Sequence, residues 1–200
     1  MFLACKLYKL FIDPLLNNLR HKVASLIPKE SSVVEIASGT GAQSLLLAST
    51  GRRVVGVDIN EVMTTSASKT ADTLNLSNIT YHTADGSNLK FIKDKEFDFT
   101  TITLALHELP DSLRKQILTE MKRISKHMII ADYNVPLPKT ISGWGSKHIE
   151  MLAGKDHYAG FKNYMERGGI IKILEEMDLK VEQVHTALNS AIIIIEVNTP

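Results

Sequence analysis

A single cysteine and a near balance of charge remove several function classes from this 200-residue sequence at the outset. Cys5 alone can build neither an intramolecular disulfide nor a thiolate metal cage. Its reading as a nucleophile or redox thiol lacks a histidine close in sequence, and a plain terminal residue is the alternative. Lys and Arg number 23 against 22 Asp and Glu, a net charge of +1. No global field therefore holds a polyanion, which argues against duplex nucleic acid as the main partner and leaves room only for a local basic patch. No apolar run approaches the ~20 residues that cross a bilayer. Lys6 and Lys9 interrupt the apolar opening, which makes a poor signal peptide, so a cytoplasmic protein is the default expectation. Repeats, low-complexity tracts and linkers are also lacking. One domain over 1–200 is expected, and 44% apolar with 22% charged residues suits a chain that buries a sizeable core.

What is present begins with a helical pattern over the first ~30 residues. Leu3, Leu7, Leu10, Leu15, Leu19 and Val23 recur at threes and fours, with Pro14 as a break. A helical lid packed on the body explains this. Lys6, Lys9, Arg20 and Lys22 lie off the stripe, so a peripheral membrane contact is the sharper alternative. From residue 33 the period changes to short β-branched runs alternating with helical stretches. Strands are expected at 33–37, 54–58, 79–84, 97–105 and 127–132. Asn60 caps one intervening helix, and Asp111 or Ser112 caps another. Such alternation predicts an α/β domain whose mainly parallel sheet is buried on both faces. Residues 179–187 and 191–197 are two extended runs joined by a turn-sized gap. That gap is too short for a parallel crossover, so they should form an antiparallel hairpin.

The strongest local signal is strand, glycine loop, helix, strand, acid. Gly39 and Gly41 allow the backbone to turn sharply and approach a ligand, and the helix opening at Gly41 aims free N–H groups at the same place. Seventeen residues later, Asp58 ends the second strand, where a carboxylate can accept hydrogen bonds from both hydroxyls of a ribose. A tight turn and a helix cap would be the plain reading of each feature alone. Together they indicate a nucleoside-cofactor site. Ser44 stands where a dinucleotide fingerprint wants its third glycine.

The run Glu35-Ile36-Ala37-Ser38-Gly39-Thr40-Gly41 resembles motif I of the class I S-adenosylmethionine-dependent methyltransferases, acid-x-Gly-x-Gly-x-Gly, with Ala37 in place of the first glycine. The resemblance extends from about residue 30 to 197 and is greatest with the small-molecule branch that includes quinone-biosynthesis methyltransferases. It implies a Rossmann-like, doubly wound, seven-stranded sheet, S-adenosylmethionine as cofactor and a small-molecule methyl acceptor. Glu35, Ala37, Ser38, Gly39 and Gly41 would then form the cofactor loop, Asp58 would bind the ribose and Ile59 would pack on the adenine. Asp85 and Gly86 match the next motif, whose acid meets the adenine amino group. Ala105 falls in the fourth, which lines the methionine end. The terminal hairpin fits this family and is unusual in nicotinamide dehydrogenases.

Methyl transfer from a sulfonium needs chiefly alignment, which can supply up to roughly 7–11 kcal/mol. His107 follows the fourth strand at its carboxyl end and is the candidate catalytic base or acceptor contact, a structural loop residue being the alternative. Tyr133 ends the fifth strand beside the same crevice. Residues 136–169 form an insert in which Tyr158 and Phe161 are candidate acceptor contacts, unless the aromatics only pin it to the sheet. The seven histidines are scattered without metal-ligand spacing, so no metal site is assigned. A nicotinamide-dependent oxidoreductase and a non-catalytic cofactor-binding module remain the competing readings. Nothing in the sequence names the acceptor atom or the oligomeric state.

Overall fold

The computed structural model describes residues 16–139 and 155–199. Cys5, Pro14, Trp144 and His148 lie outside these residues, with most of the expected lid and the centre of the insert. Chain order runs α1 (Asn17–Ser25), β1 (Ser32–Ile36), α2 (Ala42–Ser49), β2 (Arg53–Asp58), α3 (Glu61–Thr73), β3 (Ile79–Thr83), β4 (Phe97–Thr103). There follow a 3-10 turn (Leu106–Glu108), α4 (Asp111–Ile124), β5 (Ser125–Tyr133), α5 (Lys155–Glu166), α6 (Gly169–Glu176), β6 (Val181–Ala187) and β7 (Ile192–Asn198). The seven strands form one sheet in the order β3-β2-β1-β4-β5-β7-β6. The first five are parallel, and β7 runs antiparallel to both β5 and β6. Doubly wound topology and the terminal hairpin both agree with the sequence.

Burial explains why these runs became strands. Val33, Val34, Ile36, Ile102, Met128 to Ala131 and Ile192 to Ile195 are buried, so the central strands are apolar on both faces, as a sheet covered by helices requires. Parallel order places the carboxyl ends of β2, β1 and β4 side by side along one rim, with β1 in the middle. Open α/β sheets bind ligands at such a rim.

One local expectation is refined. Pro110, not Asp111 or Ser112, is the cap residue of α4, with no side-chain cap bond. Asp111 sits in the first helical turn, where an acid suits the helix dipole, and its carboxylate lies 3.0 Å from Nε of Arg167. Asn60 caps α3 as expected, its Oδ1 accepting the Val62 N–H at 3.0 Å. In the described part of the N-terminal segment, Leu19, Val23 and Ala24 of α1 are buried in the core. Arg52, buried beneath, donates to the carbonyls of Ala24 and Ile27 and so fixes the end of α1 on the sheet. Among the described residues no helix is long and apolar enough to cross a membrane.

Candidate active site

The loop after β1 turns through left-handed backbone at three alternate positions, Ala37 (φ 55°), Gly39 (φ 51°) and Gly41 (φ 80°). At Gly41 a Cβ would stand 2.5 Å from the Tyr81 hydroxyl and 2.7 Å from Cβ of Ala67, so glycine is needed for packing as well as for conformation. A Cβ at Gly39 would meet nothing within 4 Å, leaving that backbone open to a ligand. Ala37 holds the same kind of conformation with a side chain, which costs roughly 1–2 kcal/mol relative to right-handed backbone. Ala37→Gly should therefore stabilise the protein by about 0.5–1 kcal/mol after the added entropy of the unfolded chain, a Tm gain of about 1–4 °C by calorimetry. A lower Tm would show that the methyl group is packed rather than strained.

Asp58 ends β2 beside this loop. One carboxylate oxygen accepts the Gly39 N–H at 2.7 Å and the other accepts the Asn60 N–H at 2.9 Å. The carboxylate is thus fixed in orientation, and each oxygen keeps lone-pair capacity toward the cavity it lines.

That cavity, of about 490 Å³, runs along the rim from β2 across β1 to β4. Asp58, Ile59, Asn60 and Met63 line it on the β2 side, with Ile59 77% exposed. Thr103, Leu104, Ala105 and Glu108 line it after β4. Glu35, Ala37, Ser38 and Gly39 form its floor, while Leu16 and Arg20 of α1 and His157 of α5 close it. Five polar atoms of lining residues, Glu35 Oε2, Ser38 Oγ, Gln43 Oε1, Thr103 Oγ1 and His157 Nδ1, are buried without a hydrogen-bond partner among the described residues. Native interiors leave few such atoms, so five around one cavity point to a polar ligand there. Glu35 is 3% exposed, and burial pushes its carboxyl up to about 8, with Ser44 and the Arg20 guanidinium partly offsetting this.

The methyltransferase-domain family model matches residues 33–127, which span the glycine loop, Asp58 and the start of β5. The chain is thus similar to methyltransferase domains over just under half of its length. It is 36% identical over 105 residues to the ubiquinone/menaquinone biosynthesis C-methyltransferase of Rickettsia peacockii, covering 49% of this chain and 41% of that protein. It is 32% identical over 91 residues to a protein-L-isoaspartate O-methyltransferase of Roseobacter denitrificans, covering 46% of this chain and 42% of that one. The chain thus matches about two-fifths of the length of each curated relative. In fold it is similar to magnesium protoporphyrin IX methyltransferase of Synechocystis, whose crystal structure holds S-adenosylhomocysteine. That match has a TM-score of 0.64 and 20% identity, covering 94% of this chain and 83% of that one.

The expected cofactor residues separate into two groups. Glu35, Ala37, Ser38, Gly39, Asp58, Ile59 and Ala105 line the cavity, while Gly41 stands just behind it as the cap of α2. Asp85 and Gly86 lie beyond the cavity lining. Asp85 is exposed and accepts the Ser87 N–H at 2.9 Å and the Ser87 hydroxyl at 2.7 Å, closing a turn after β3. Gly86 lies against Ile36, whose Cγ2 would be 2.5 Å from an added Cβ.

None of the expected acceptor contacts lines the cavity among the described residues. His107 is 2% exposed, and its Nδ1 lies 2.6 Å from Oδ1 of Asp132. Tyr133 packs edge-on at 4.6 Å and Phe161 at 6.2 Å between ring centroids, with Tyr158 on the far side of Phe161 at 6.4 Å. These four residues therefore form one aromatic cluster behind the cavity wall. The reason lies in Asp132, whose buried carboxylate also accepts the backbone N–H groups of His107 and Tyr133 and draws the imidazole inward. Fully buried Arg114 locks this arrangement. Its guanidinium donates to the carbonyls of Leu106 and Gly160 and to Oδ1 of Asn163, each at 2.8 Å. Arg20, Gln43, Thr103, Glu108 and His157 also line the cavity, a placement that no local sequence pattern signals.

Proposed function

We propose that this protein transfers a methyl group from S-adenosylmethionine to a small-molecule acceptor at the β1–β4 side of the rim. The observation that carries the reading is the set of unpaired buried polar atoms in the cavity lining, which fits an amino-acid zwitterion. Glu35 and the Gln43 amide oxygen would accept from the ammonium, while Arg20 across from Glu35 would take the carboxylate. Asp58 would hold the ribose, and exposed Ile59 would cover one face of the adenine. The bound cofactor supplies a methyl group already activated by its sulfonium. The chain's own residues bind and orient it, and α1 and α5 close over the rim to exclude water. Similarity to the methyltransferase-domain family supports the same cofactor, and the antiparallel β7 speaks against a nicotinamide dehydrogenase sheet.

A small acceptor suits a cleft of this size. Relatives named as a C-methyltransferase of quinone biosynthesis and as a protein-L-isoaspartate O-methyltransferase leave the acceptor atom to experiment.

S-adenosylhomocysteine at a hundred times its Kd should stabilise the folded state by about 2.7 kcal/mol, read as a Tm rise of about 5–11 °C for a chain of this length. NAD at the same concentration should give none. Stabilisation by NAD, or by neither, would overturn the cofactor assignment.

A further inference from the structure

Glu108 and His157 occupy the acceptor side of the cavity, and the reading above gives them no task. They are brought together by backbone packing. Gly160 lets α5 approach the turn so closely that a Cβ there would lie 2.3 Å from the Glu108 carbonyl oxygen. Arg114 then ties Gly160 of α5 and Leu106 of the turn to one buried guanidinium. Nδ1 of His157 stands 3.4 Å from Oε1 of Glu108, and Nε2 of His107 stands 3.7 Å from that same oxygen.

The buried end fixes where the protons lie. Asp132 accepts two backbone N–H groups besides its contact to His107, so it serves as an ionised acceptor and Nδ1 of His107 carries the proton between them. At 3.7 Å, Nε2 of His107 lies beyond hydrogen-bond distance of Glu108 and stands behind its carboxylate.

The geometry points to an acid–base station for a hydroxyl acceptor, in which His157, oriented at Nδ1 by Glu108, takes the proton of an acceptor O–H at Nε2. This rests on the cavity binding S-adenosylmethionine. In the transfer an O–CH3 bond forms as the CH3–S bond breaks, and the electron pair of the broken bond stays on sulfur to give a neutral thioether. The O–H proton passes to His157, so the positive charge of the sulfonium ends on the imidazole. A hydroxyl needs such a base. Thiols ionise near neutrality unaided, and amines attack through a lone pair and shed the proton afterwards. His157 faces Glu108 from the turn after β4. Arg20 of α1, Glu35 of β1 and Asp58 of β2 line the same cavity, and Arg114 of α4 lies beneath Gly160.

The test uses the complex with S-adenosylhomocysteine and imidazole nitrogen NMR, then turnover on two probe phenols. Glu108→Gln should shift the Nδ1 resonance of His157, while the Nδ1 proton of His107 should persist. A His157 Nδ1 resonance unmoved by Glu108→Gln would overturn the pairing. In turnover, His157→Gln should slow methylation of 4-methylphenol by about 100-fold and of 4-nitrophenol, already ionised, by no more than a few-fold. Equal losses on both phenols would make His157 a structural residue and overturn the proposal. Turnover of neither phenol by the wild type, with S-adenosylhomocysteine still bound, would overturn the hydroxyl-acceptor assignment alone. Absence of that binding would overturn the methyltransferase reading and this inference with it.

Discussion

Replacing Asp58 by alanine should weaken S-adenosylhomocysteine binding by at least about 100-fold in isothermal titration calorimetry. Two losses add. A ribose diol would donate two charge-assisted hydrogen bonds to this carboxylate, each worth roughly 1.5–3 kcal/mol, and 2.7 kcal/mol already corresponds to a hundredfold change. The same carboxylate holds the N–H groups of Gly39 and Asn60, so its removal also releases the loop that the methionine end must meet. An analogue lacking both ribose hydroxyls separates the two. Wild type should bind it far more weakly than the natural compound, whereas Asp58→Ala should bind both about equally. Asp58→Asn keeps one acceptor oxygen but turns an NH2 group toward a backbone N–H, and should fall between. An affinity for Asp58→Ala within threefold of wild type would mean the carboxylate is only a loop brace.

The part of this site that was legible in the sequence is the part built within short stretches of chain. Strand, loop, helix and acid follow one another from Val33 to Asp58, and parallel pairing of β1 with β2 is enough to bring Asp58 to Gly39. The hairpin was legible for a similar reason, because four turn residues, Leu188 to Ala191, leave no other way to join two strands. Side-chain direction across long separations was not legible. Arg20 lies off the apolar stripe of α1, where periodicity alone assigns it to solvent, yet α1 crosses the rim and turns that edge into the cavity. His107 occupies the place where a catalytic base is expected. Its ring direction is decided by Asp132, 25 residues away, and no local pattern encodes that contact. Glu108 and His157 meet only because Gly160 allows α5 to press on the turn. Glycine there reads in sequence as punctuation, and only packing shows it to be a contact point.

Glu35 provides the second large effect, and its sign follows from which state holds more protons. Burial lifts the carboxyl from its ordinary 4.5 to about 8 in the folded protein. Between those values the unfolded chain has released this proton and the folded chain retains it, so stability falls as pH rises from about 4.5 to 8 and then levels off. The penalty should reach a few kcal/mol at its upper end, since each unit of displacement is worth about 1.4 kcal/mol. Glu35→Gln keeps the shape and carries no charge to desolvate. Relative to wild type, the variant should be similar in stability near pH 4.5 and more stable by a few kcal/mol at pH 8, measured by urea denaturation of the ligand-free protein across that range. Ligand binding should tell the complementary story. An ammonium placed against Glu35 favours the carboxylate, so S-adenosylhomocysteine binding near pH 7 should release a proton from wild type. Calorimetry in buffers of different ionisation enthalpy counts that proton, and in Glu35→Gln the count should drop by nearly one. A variant with the wild-type pH slope and the wild-type proton count would place the ammonium elsewhere in the cavity, and with it the methionine end of the cofactor.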